Sequence, residues 1–532
     1  MRTLSFFILF TAFVFQLTYS QTSEQLLAKV IDIETSYPVS FATIRIKDSN
    51  KGVIADYNGE FRLPIGYRNK IIIVTAIGFE TREINIKELK LGELNIIKIN
   101  AQIEALDPVF ISASTKKVDT KKLIKKSRKL SAKDIVIKAI AEITNNLSNQ
   151  PHSYIGYYRD YQLVHNKFHN LNEGIIETFD QGINTNFLTN NSNQTAVYSY
   201  NQNKNFSIDS TLSSAYDGTT KYIKYSEILP RGGNEHTLLN IHNPIRNYNI
   251  NTFSYVYNLE KDFPALHKFS KGKIIFLNNE PIIIINIKKI KPRDNIAYGL
   301  RTGRLENNEY VNGSLYISLV DYSIHRFNYQ VQPPQSKEAL FNVSLEYAKY
   351  NNKMYLNYIT FNNSFEIAED FVLREELIEY DPKQKAFIVT FNNKEEHLDF
   401  STISRRNFSF KIGKKRLKSL KTKKVSDRKV KVSVENFDKS PIVFNEDDKR
   451  DLSYKITRIR DLSGRKIYQR RTLKGNQFRE FFVQEVNENK HITDGLVVMD
   501  KNLPMIESTI NDFPEKNQYW LNSPLMDKKY RD

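Results

Sequence analysis

Residues 38–63 read PVSFATIRIKDSNKGVIADYNGEFRL, and this stretch contains strand patterns separated by turn residues. Apolar Ala42, Ile44 and Ile46 alternate with polar residues, which is the period of a strand with one buried face. The tetrapeptide DYNG at 56–59 is typical of a tight reversal, because Asn and Gly tolerate the left-handed backbone that such turns need. The segment therefore predicts short strands joined by a tight turn.

Outward from this stretch, similar patterns continue on both sides. A strand is predicted at 60–63 within this stretch, and further strands are predicted outside it at 26–33, 71–77, 81–86 and 94–99. The strand at 71–77 is almost entirely apolar, so we expect it to be buried on both faces. Short strands at this spacing predict a β-sandwich between residues 24 and 112.

Four blocks of this region occur together in a known family. They are AKVID at 28–32, PVSFATI at 38–44, DYNGEF at 56–61 and IGFE at 77–80. In this order they resemble the carboxypeptidase regulatory-like domain of Bacteroidetes envelope proteins, with Ala28 in place of the family's opening glycine. The resemblance implies a seven-stranded immunoglobulin- or transthyretin-like sandwich. It also implies no catalysis, because this domain is an accessory of the carboxypeptidases and not their active module.

An amphipathic helix is predicted after the sandwich. Ser131 has the features of an N-cap, with Asp134 in capping-box register. The apolar residues that follow recur at helical spacing and form one face of the helix: Ile135, Val136, Ala139, Ile140 and Ile143. This helix and the strand YIGYYRDY at 154–161 resemble the segment downstream of the same sandwich in uncharacterised Bacteroidetes envelope proteins.

Strand patterns then follow one another to about residue 400. GSLYISLVDYSIHRFNYQ at 313–330 predicts a hairpin around Asp321 and Tyr322. Together with SLEYAKYNNKMYLNYITF at 344–361, it resembles the meander of lipoprotein-carrier half-barrels. That resemblance implies one curved sheet with an apolar concave side.

The patterns together predict a mainly β protein with five segments. The single tryptophan, Trp520, is expected to anchor the end of the chain to the folded core. The segments are a signal peptide at 1–20, the sandwich at 24–112, a basic linker with a connecting amphipathic helix at 113–150, a large antiparallel β-sheet domain at 151–400, and a basic segment with a C-terminal extension at 401–532.

The first residues have the pattern of a secretory signal peptide. Arg2 precedes an apolar run at 4–15, and small or modest side chains at 18–20 precede the expected cleavage site. The apolar run is shorter than the roughly 20 residues that a membrane-spanning helix needs. The chain contains no cysteine, which excludes disulfides and lipobox lipidation. We therefore expect an exported protein of the bacterial periplasm or outer membrane.

The net charge of +18 is concentrated in two segments. Residues 116–129 contain eight Lys or Arg and one Asp, and residues 405–431 contain thirteen Lys or Arg and one Asp. Such segments are solvated connectors, or they contact anionic lipid head groups at a membrane surface. Export and the lack of a recognition motif argue against nucleic acid.

No catalytic or metal-binding motif is present. A zinc carboxypeptidase needs a His-x-x-Glu pair, and none of the nine histidines has this spacing. There is also no Gly-x-Ser-x-Gly elbow and no phosphate-binding loop. We expect no cofactor, no metal and solvated or core-edge positions for the remaining candidates, which are the pairs His165 with His169, His236 with His242, Glu375 with Glu376, and Glu395 with Glu396.

The expected function is a non-catalytic envelope protein with a binding or scaffolding role, whose partner is an envelope protein or an apolar ligand. Two alternatives stay open. A periplasmic lipid or lipoprotein carrier would line an apolar cavity with alternate residues of the strands between Ile274 and Ile359. An unrecognised hydrolase would gather carboxylates or histidines such as His165, His236 and His325 in one pocket.

Overall fold

The computed structural model divides the chain into two compact units. The first unit contains residues up to 208, 218–365 and 476 onward, and the second contains 209–217 and 366–475. The predicted signal peptide lies outside the described part of the chain. The described residues are 25–102, 119–164, 167–187, 192–204, 206, 221–223, 226–228, 235–250, 258–278, 280–289, 310–332, 339–393, 397–435, 443–444, 452–501, 503–513 and 518–525.

The first unit begins with a sandwich of seven short strands. One sheet has the order β4-β1-β7 and the other has the order β3-β2-β5-β6, which confirms the predicted architecture. The DYNG turn forms as expected, with Gly59 at φ 73° and the Asp56 carboxylate accepting from the backbone N–H of Asn58 and Glu60. The strands are β1 (Gln25–Asp32), β2 (Thr43–Ile46), β3 (Gly52–Ile54), β4 (Glu60–Pro64), β5 (Ile71–Thr75), β6 (Arg82–Asn85) and β7 (Leu94–Ile99).

Three helices follow: α1 (Thr120–Lys129), α2 (Ala132–Ala141) and α3 (Ile143–Asn146). The described part of the basic segment at 116–129 is thus mostly helical. The predicted capping box of α2 is confirmed, because Ser131 Oγ accepts from the N–H of Asp134 at 3.1 Å and the Asp134 carboxylate accepts from the N–H of Ser131 at 3.0 Å. The predicted apolar face of α2 is buried.

Twelve strands of the chain form one large sheet. Ten of them are neighbours in the order β10-β9-β8-β27-β18-β17-β16-β15-β14-β13, and this confirms the predicted large antiparallel sheet. The last strand among the described residues, β27, lies between β8 and β18. The elements are β8 (His152–Val164), β9 (Lys167–Asp180), β10 (Asn193–Gln202), β11 (Lys221–Ile223), β12 (Ser226–Ile228), α4 (Glu235–Ile241), α5 (Phe263–Leu266), β13 (His267–Leu277), β14 (Glu280–Lys289), β15 (Tyr310–Ser318), β16 (Ile324–Gln332), β17 (Phe341–Tyr350), β18 (Lys353–Val372) and β27 (Arg470–Glu488).

One face of this sheet carries the largest hydrophobic core. Strand residues such as Ile285, Phe327 and Val343 are buried there, packed in a core. Helices α2, α4 and α5 contribute to the same core, for example through Leu239 and Phe263. In the described part of the chain, these helices therefore pack on the apolar face.

The sandwich packs on the opposite face of the sheet. Ile54 of the sandwich shares a core with Tyr157, Tyr358 and Phe482 of the sheet. Phe41 stacks on Tyr358 with the ring centroids 4.6 Å apart. The backbone of Phe41 has φ 61°, a conformation that is rare for a bulky residue and that occurs here at the contact between sandwich and sheet.

Residues 518–525, which we call the C-terminal strap, join the sandwich to the sheet. Trp520 is only 5% exposed and lies in the sandwich core, where its Nε1 donates to the carbonyl oxygen of Arg62 at 2.8 Å. The backbone of Trp520 bonds the Gln484 side chain of β27 through both its N–H and its carbonyl group. Arg62 Nε donates in turn to the carbonyl oxygen of Ser523 at 2.7 Å. The predicted anchoring role of Trp520 is confirmed.

The second unit is built from two small sheets, of order β23-β24-β20-β19-β25 and β22-β21-β26. Phe387 and Phe410, one from each sheet, stack in its core with centroids 4.1 Å apart. The basic segment at 405–431 is thus not a solvated connector, because its apolar residues face this core. The strands are β19 (Glu375–Asp381), β20 (Ala386–Phe391), β21 (Phe408–Ile412), β22 (Lys415–Leu417), β23 (Ser419–Ser426), β24 (Lys429–Val434), β25 (Val443–Phe444) and β26 (Leu452–Ile456).

Among the helices that the structure describes, none combines the length and the apolar character needed to cross a membrane.

Candidate functional site

The candidate metal-ligand histidines that lie in the described residues occupy structural positions. His165 lies outside the described residues, and His169 lies in β9. His236 in α4 and His242 directly after it are buried, so the prediction of solvated or core-edge side chains is wrong for this pair. The reason is that α4 packs its residues into the core of the large sheet.

Burial also keeps these imidazoles neutral. It lowers the pKa of both His236 and His242 to about 3, and the pKa of His325 to about 4. His242 stacks on Phe361 with ring centroids 3.7 Å apart, and its Nδ1 lies 2.6 Å from the carbonyl oxygen of Leu238. Within the described residues, no three His, Cys, Asp or Glu side chains are grouped closely enough to hold a metal ion.

The acidic pairs also make structural contacts. Glu375 accepts hydrogen bonds from two tyrosine hydroxyl groups at 2.6 Å each. Glu376 forms an ion pair with Arg428 at 2.8 Å. The pair at 395–396 lies outside the described residues.

A buried ion cluster lies where the sandwich meets the sheet, and no sequence motif indicated it. Arg159 in β8 donates from Nε to Glu480 Oε2 at 2.6 Å, and its Nη2 is 3.8 Å from the Oδ2 of Asp56 in the DYNG turn. Tyr358 donates to the other carboxylate oxygen of Glu480 at 2.7 Å. All three charged residues are at most 4% exposed. Each therefore depends on the others, because an isolated buried charge is strongly unfavourable.

Asp56 is the member of this cluster that titrates near neutral pH. Burial raises its pKa to about 6, and the Arg159 guanidinium opposes that rise. The neighbouring carboxylates of Glu60 and Glu480 raise the pKa further. The contact between sandwich and sheet therefore contains one carboxyl group whose charge changes at mildly acidic pH.

A cleft in the second unit gathers four cationic side chains. It is an open cleft with a volume of about 530 Å³, next to a 3₁₀ turn at Arg405–Asn407 and strands β21 and β22. No Asp or Glu lines it. We call it the basic cleft, and its lining residues are Arg405, Arg406, Phe408, Ser409, Arg416, Leu417, Lys418 and Ser419.

Within the described residues, no carboxylate forms an ion pair with the cations of the basic cleft, although the Glu435 carboxylate accepts a hydrogen bond from the backbone N–H of Lys418 at 3.1 Å. Arg405, Arg406, Arg416 and Lys418 are all exposed, and no described carboxylate lies within 4.0 Å of their charged nitrogens. A guanidinium group presents a planar fork of N–H donors that fits phosphate or carboxylate oxygens. The cleft is therefore suited to bind an anion with several oxygens.

The lysines of the neighbouring strand have a different explanation. Strand β23 is at the edge of its sheet, and Lys421, Lys423 and Lys424 are exposed along it. Lysines on an edge strand prevent unwanted pairing with other chains, so these side chains need no ligand. That explanation does not extend to Arg405 and Arg406, which lie in a 3₁₀ turn.

Comparison with known families concerns the sandwich. The family model described as CarboxypepD_reg-like domain matches residues 29–111. The match confirms the resemblance seen in the four sequence blocks and agrees with the seven strands of the structure. It ends before helix α1, and an origin in Bacteroidetes stays a prediction. No curated protein matches the sequence.

Two solved structures are similar in part. One is a LolA superfamily protein from Nitrosomonas europaea, with 9% sequence identity and a TM-score of 0.19. The other is a DUF1329 family protein from Desulfovibrio piger, with 6% identity and a TM-score of 0.18. Each similarity covers 44% of this chain and 86% of the other chain. At these TM-scores, neither similarity bears on the function of this protein.

Proposed function

We propose that this protein is a non-catalytic component of the cell envelope that binds an anionic surface through its basic cleft. The observation that carries the proposal is the grouping of Arg405, Arg406, Arg416 and Lys418 around one cleft that no acidic residue lines. The signal peptide predicted at 1–20 supports export to the periplasm or the outer membrane. The first unit then serves as a scaffold, since helices and the sandwich pack on the two faces of its sheet.

The proposed surface is that of a membrane with phosphate-bearing anionic lipids. Each Lys or Arg held near such a surface contributes about 1 kcal/mol, so four cations in one cleft give useful affinity. Helix α1, in the first unit, also carries exposed basic residues, among them Lys126, Arg128 and Lys129. Export argues against the competing polyanion, which is nucleic acid.

The basic cleft predicts a specific loss of membrane binding on neutralisation. The double variant R405Q/R416Q is expected to bind vesicles of phosphatidylcholine and phosphatidylglycerol about 10–30-fold more weakly than the wild type, because two contributions of about 1 kcal/mol are lost. Sedimentation of the full chain with vesicles at low ionic strength measures this change.

The matched control is K421Q/K423Q, which removes the same charge from the edge strand β23. It should weaken binding much less, since these lysines lie outside the cleft lining. Equal losses in the two double variants would show that overall charge binds the vesicles and not the cleft. Equal binding of the wild type to pure phosphatidylcholine would contradict an anionic partner.

A second candidate is a lipid carrier that uses the apolar face of the large sheet. The observation that favours it is the continuous apolar lining of strands β14 to β18, on which the short helices α4 and α5, of seven and four residues, pack together with α2. Movement of these two helices would open space for an acyl chain.

The carrier candidate predicts saturable uptake of an acyl chain. Protein freed of lipid is expected to bind a fluorescent fatty acid with one site per chain, and lipid extracted from the freshly purified protein should contain acyl chains in the same ratio. Titration by fluorescence and mass spectrometry of the extract test this. A chain that neither releases lipid nor takes up the probe is not a carrier.

A further inference from the structure

The four cations of the basic cleft come from two separate pieces of backbone. Arg405 and Arg406 lie in the 3₁₀ turn that precedes β21, and we call them the turn pair. Arg416 lies in β22 and Lys418 directly follows that strand, and we call them the hairpin pair. The cleft is therefore lined by two pairs of cations and not by one continuous run of basic residues.

The turn pair is carried by a backbone that hydrogen bonds hold in place. The Asn407 side chain accepts from both the backbone N–H and the hydroxyl group of Ser404, and it donates to the carbonyl oxygen of Thr457 at 2.7 Å. The turn is thus tied to the residue that follows strand β26. Arg405 and Arg406 themselves are exposed, so their guanidinium groups are accessible to a ligand.

The hairpin pair lies on the face of the β21–β22 hairpin that is turned away from the core of the second unit. Leu417, between the two cations, is buried in that core and pairs with Phe410. The residues on either side of Leu417 point to the opposite face, because side chains alternate along a strand. The backbone of Lys418 is also held, since its N–H donates to the Glu435 carboxylate at 3.1 Å and its carbonyl oxygen accepts from the N–H of Glu435 at 3.0 Å. Both pairs therefore start from an ordered backbone.

The cleft has room for more than one phosphate group. Its volume of about 530 Å³ lies within the range of roughly 300–1,000 Å³ that is typical of sites for whole small molecules. Ser409 and Ser419 add hydroxyl groups to its lining, whereas Phe408 and Leu417 are buried in the core and offer an acyl chain little surface. The cleft therefore suits a polar headgroup whose acyl chains stay outside it.

We propose that the basic cleft recognises a lipid headgroup that carries two phosphate groups, with one phosphate at the turn pair and the other at the hairpin pair. This inference rests on the proposed function and names the class of lipid. A guanidinium fork binds two oxygens of a phosphate group, and each pair contains at least one arginine. Because both phosphates belong to one molecule, binding of the first holds the second at a high effective concentration beside the other pair. A lipid with a single phosphate gains no such advantage.

The test compares cardiolipin, which carries two phosphates, with phosphatidylglycerol, which carries one. Phosphatidylcholine vesicles receive one cardiolipin for every two phosphatidylglycerol molecules of the other preparation, so that the total charge is equal. The full chain is expected to bind the cardiolipin vesicles about tenfold more tightly in sedimentation at matched ionic strength. Equal binding to both preparations, with binding still weakened in R405Q/R416Q, overturns this inference and leaves the proposed function standing. Failure of the proposed function has a different result, which is equal binding to phosphatidylcholine with and without either anionic lipid.

Each pair of cations has its own variant. R405Q/R406Q and R416Q/K418Q each leave one of the two phosphates without a counter-charge, so both variants should bind the two kinds of vesicle about equally. All four side chains are exposed, and the variants should therefore keep the fold, which circular dichroism verifies. A preference for cardiolipin that survives in R416Q/K418Q would show that these cations only protect the edge strand β22, and it overturns the proposal.

The matched control is K421Q/K423Q, which removes the same charge from the edge strand β23 outside the cleft lining and should keep the preference for cardiolipin. Loss of the preference in this control as well contradicts a site of two pairs. The deacylated headgroup of cardiolipin, bis(glycerophospho)glycerol, tests where the phosphates come from. It should bind the full chain in calorimetry about tenfold more weakly than the vesicles do, because the membrane surface also attracts the basic residues around the cleft. Equal affinity for the free headgroup would identify a soluble ligand and overturn the lipid source.

Discussion

Replacing Trp520 by alanine is expected to destabilise the first unit by about 3–5 kcal/mol, as for other large-to-small changes of buried aromatic residues. The indole is buried in the sandwich core next to the ring of Tyr67, and its Nε1 donates to the carbonyl oxygen of Arg62. Its removal leaves a cavity, frees that carbonyl group and loosens the C-terminal strap. Urea unfolding followed by circular dichroism measures the loss.

The matched control is W520F, which keeps an aromatic ring in the cavity and removes the indole donor. It should cost less than W520A, with about 1 kcal/mol attributable to the lost hydrogen bond. Hydrogen exchange of strands β1 to β7 should accelerate in W520A and much less in W520F. A W520A variant within about 0.5 kcal/mol of the wild type would show that the strap does not stabilise the sandwich.

Replacing Arg159 by methionine is expected to cost about 3–5 kcal/mol, because it leaves buried carboxylates without their counter-charge. Arg159 pairs with Glu480 at 2.6 Å and faces Asp56 at 3.8 Å, and water does not reach this position. The methionine keeps most of the side-chain volume, so the loss reports on charge and not on packing. Urea unfolding of the full chain measures it.

The loss in R159M should also depend on pH, because Asp56 titrates in the folded protein with a pKa of about 6, raised by burial from 3.8. Between these two values the folded state holds the proton more tightly than the unfolded state. The contribution of Asp56 therefore lowers the free energy of unfolding as pH rises through this window, by up to about 3 kcal/mol. At about pH 5 Asp56 is mostly neutral and Arg159 has one anionic partner, so R159M should cost less than at about pH 8.

The control for this pH effect is D56N, in which the amide oxygen can still accept from the N–H groups of Asn58 and Glu60. In the D56N background, R159M should cost the same at both pH values, since Glu480 is then the remaining partner. A cost that is equal at both pH values in the wild-type background would mean that Asp56 does not titrate as described.

Much of the sandwich could be predicted because its signals are local. The strand at 94–99 has its predicted bounds, and the DYNG turn and the capping box at Ser131 form as expected. The apolar strand at 71–77 was harder to interpret. Ile72 and Val74 are buried while the residues between them are only partly buried, because a strand of a sandwich directs one face to the core. The prediction of burial on both faces is wrong for that reason.

In the second unit, a strand pattern in the sequence was outweighed by the high lysine content of the segment. In KVKVSV at 429–434, Val430, Val432 and Val434 alternate with polar residues, and all three valines are buried. The high lysine content favoured a solvated connector, although strict alternation over six residues indicates a strand. Lysines on one face of a strand are compatible with a folded sheet, because only the other face needs to be apolar.

The buried ion cluster had no local signal. Arg159 and Glu480 are 321 residues apart in the chain, and their hydrogen bond depends on the pairing of distant strands. The Asp56 position belongs to a turn pattern that explains its backbone contacts without indicating a cationic partner. Such residues can be recognised only when the order of the strands in the sheet is known.

The position of strand β27 determines when this fold can be completed. Residues 470–488 are synthesised late, yet this strand lies inside the large sheet between β8 and β18. Until then the strands β10-β9-β8 and β18 to β13 form two separate parts with open hydrogen-bonding edges, which are prone to aggregation. Contacts across hundreds of residues also make folding slow. A nascent chain truncated before residue 470 would thus lack the strand that joins the two parts of its sheet, and quality control would act on two parts that are not joined.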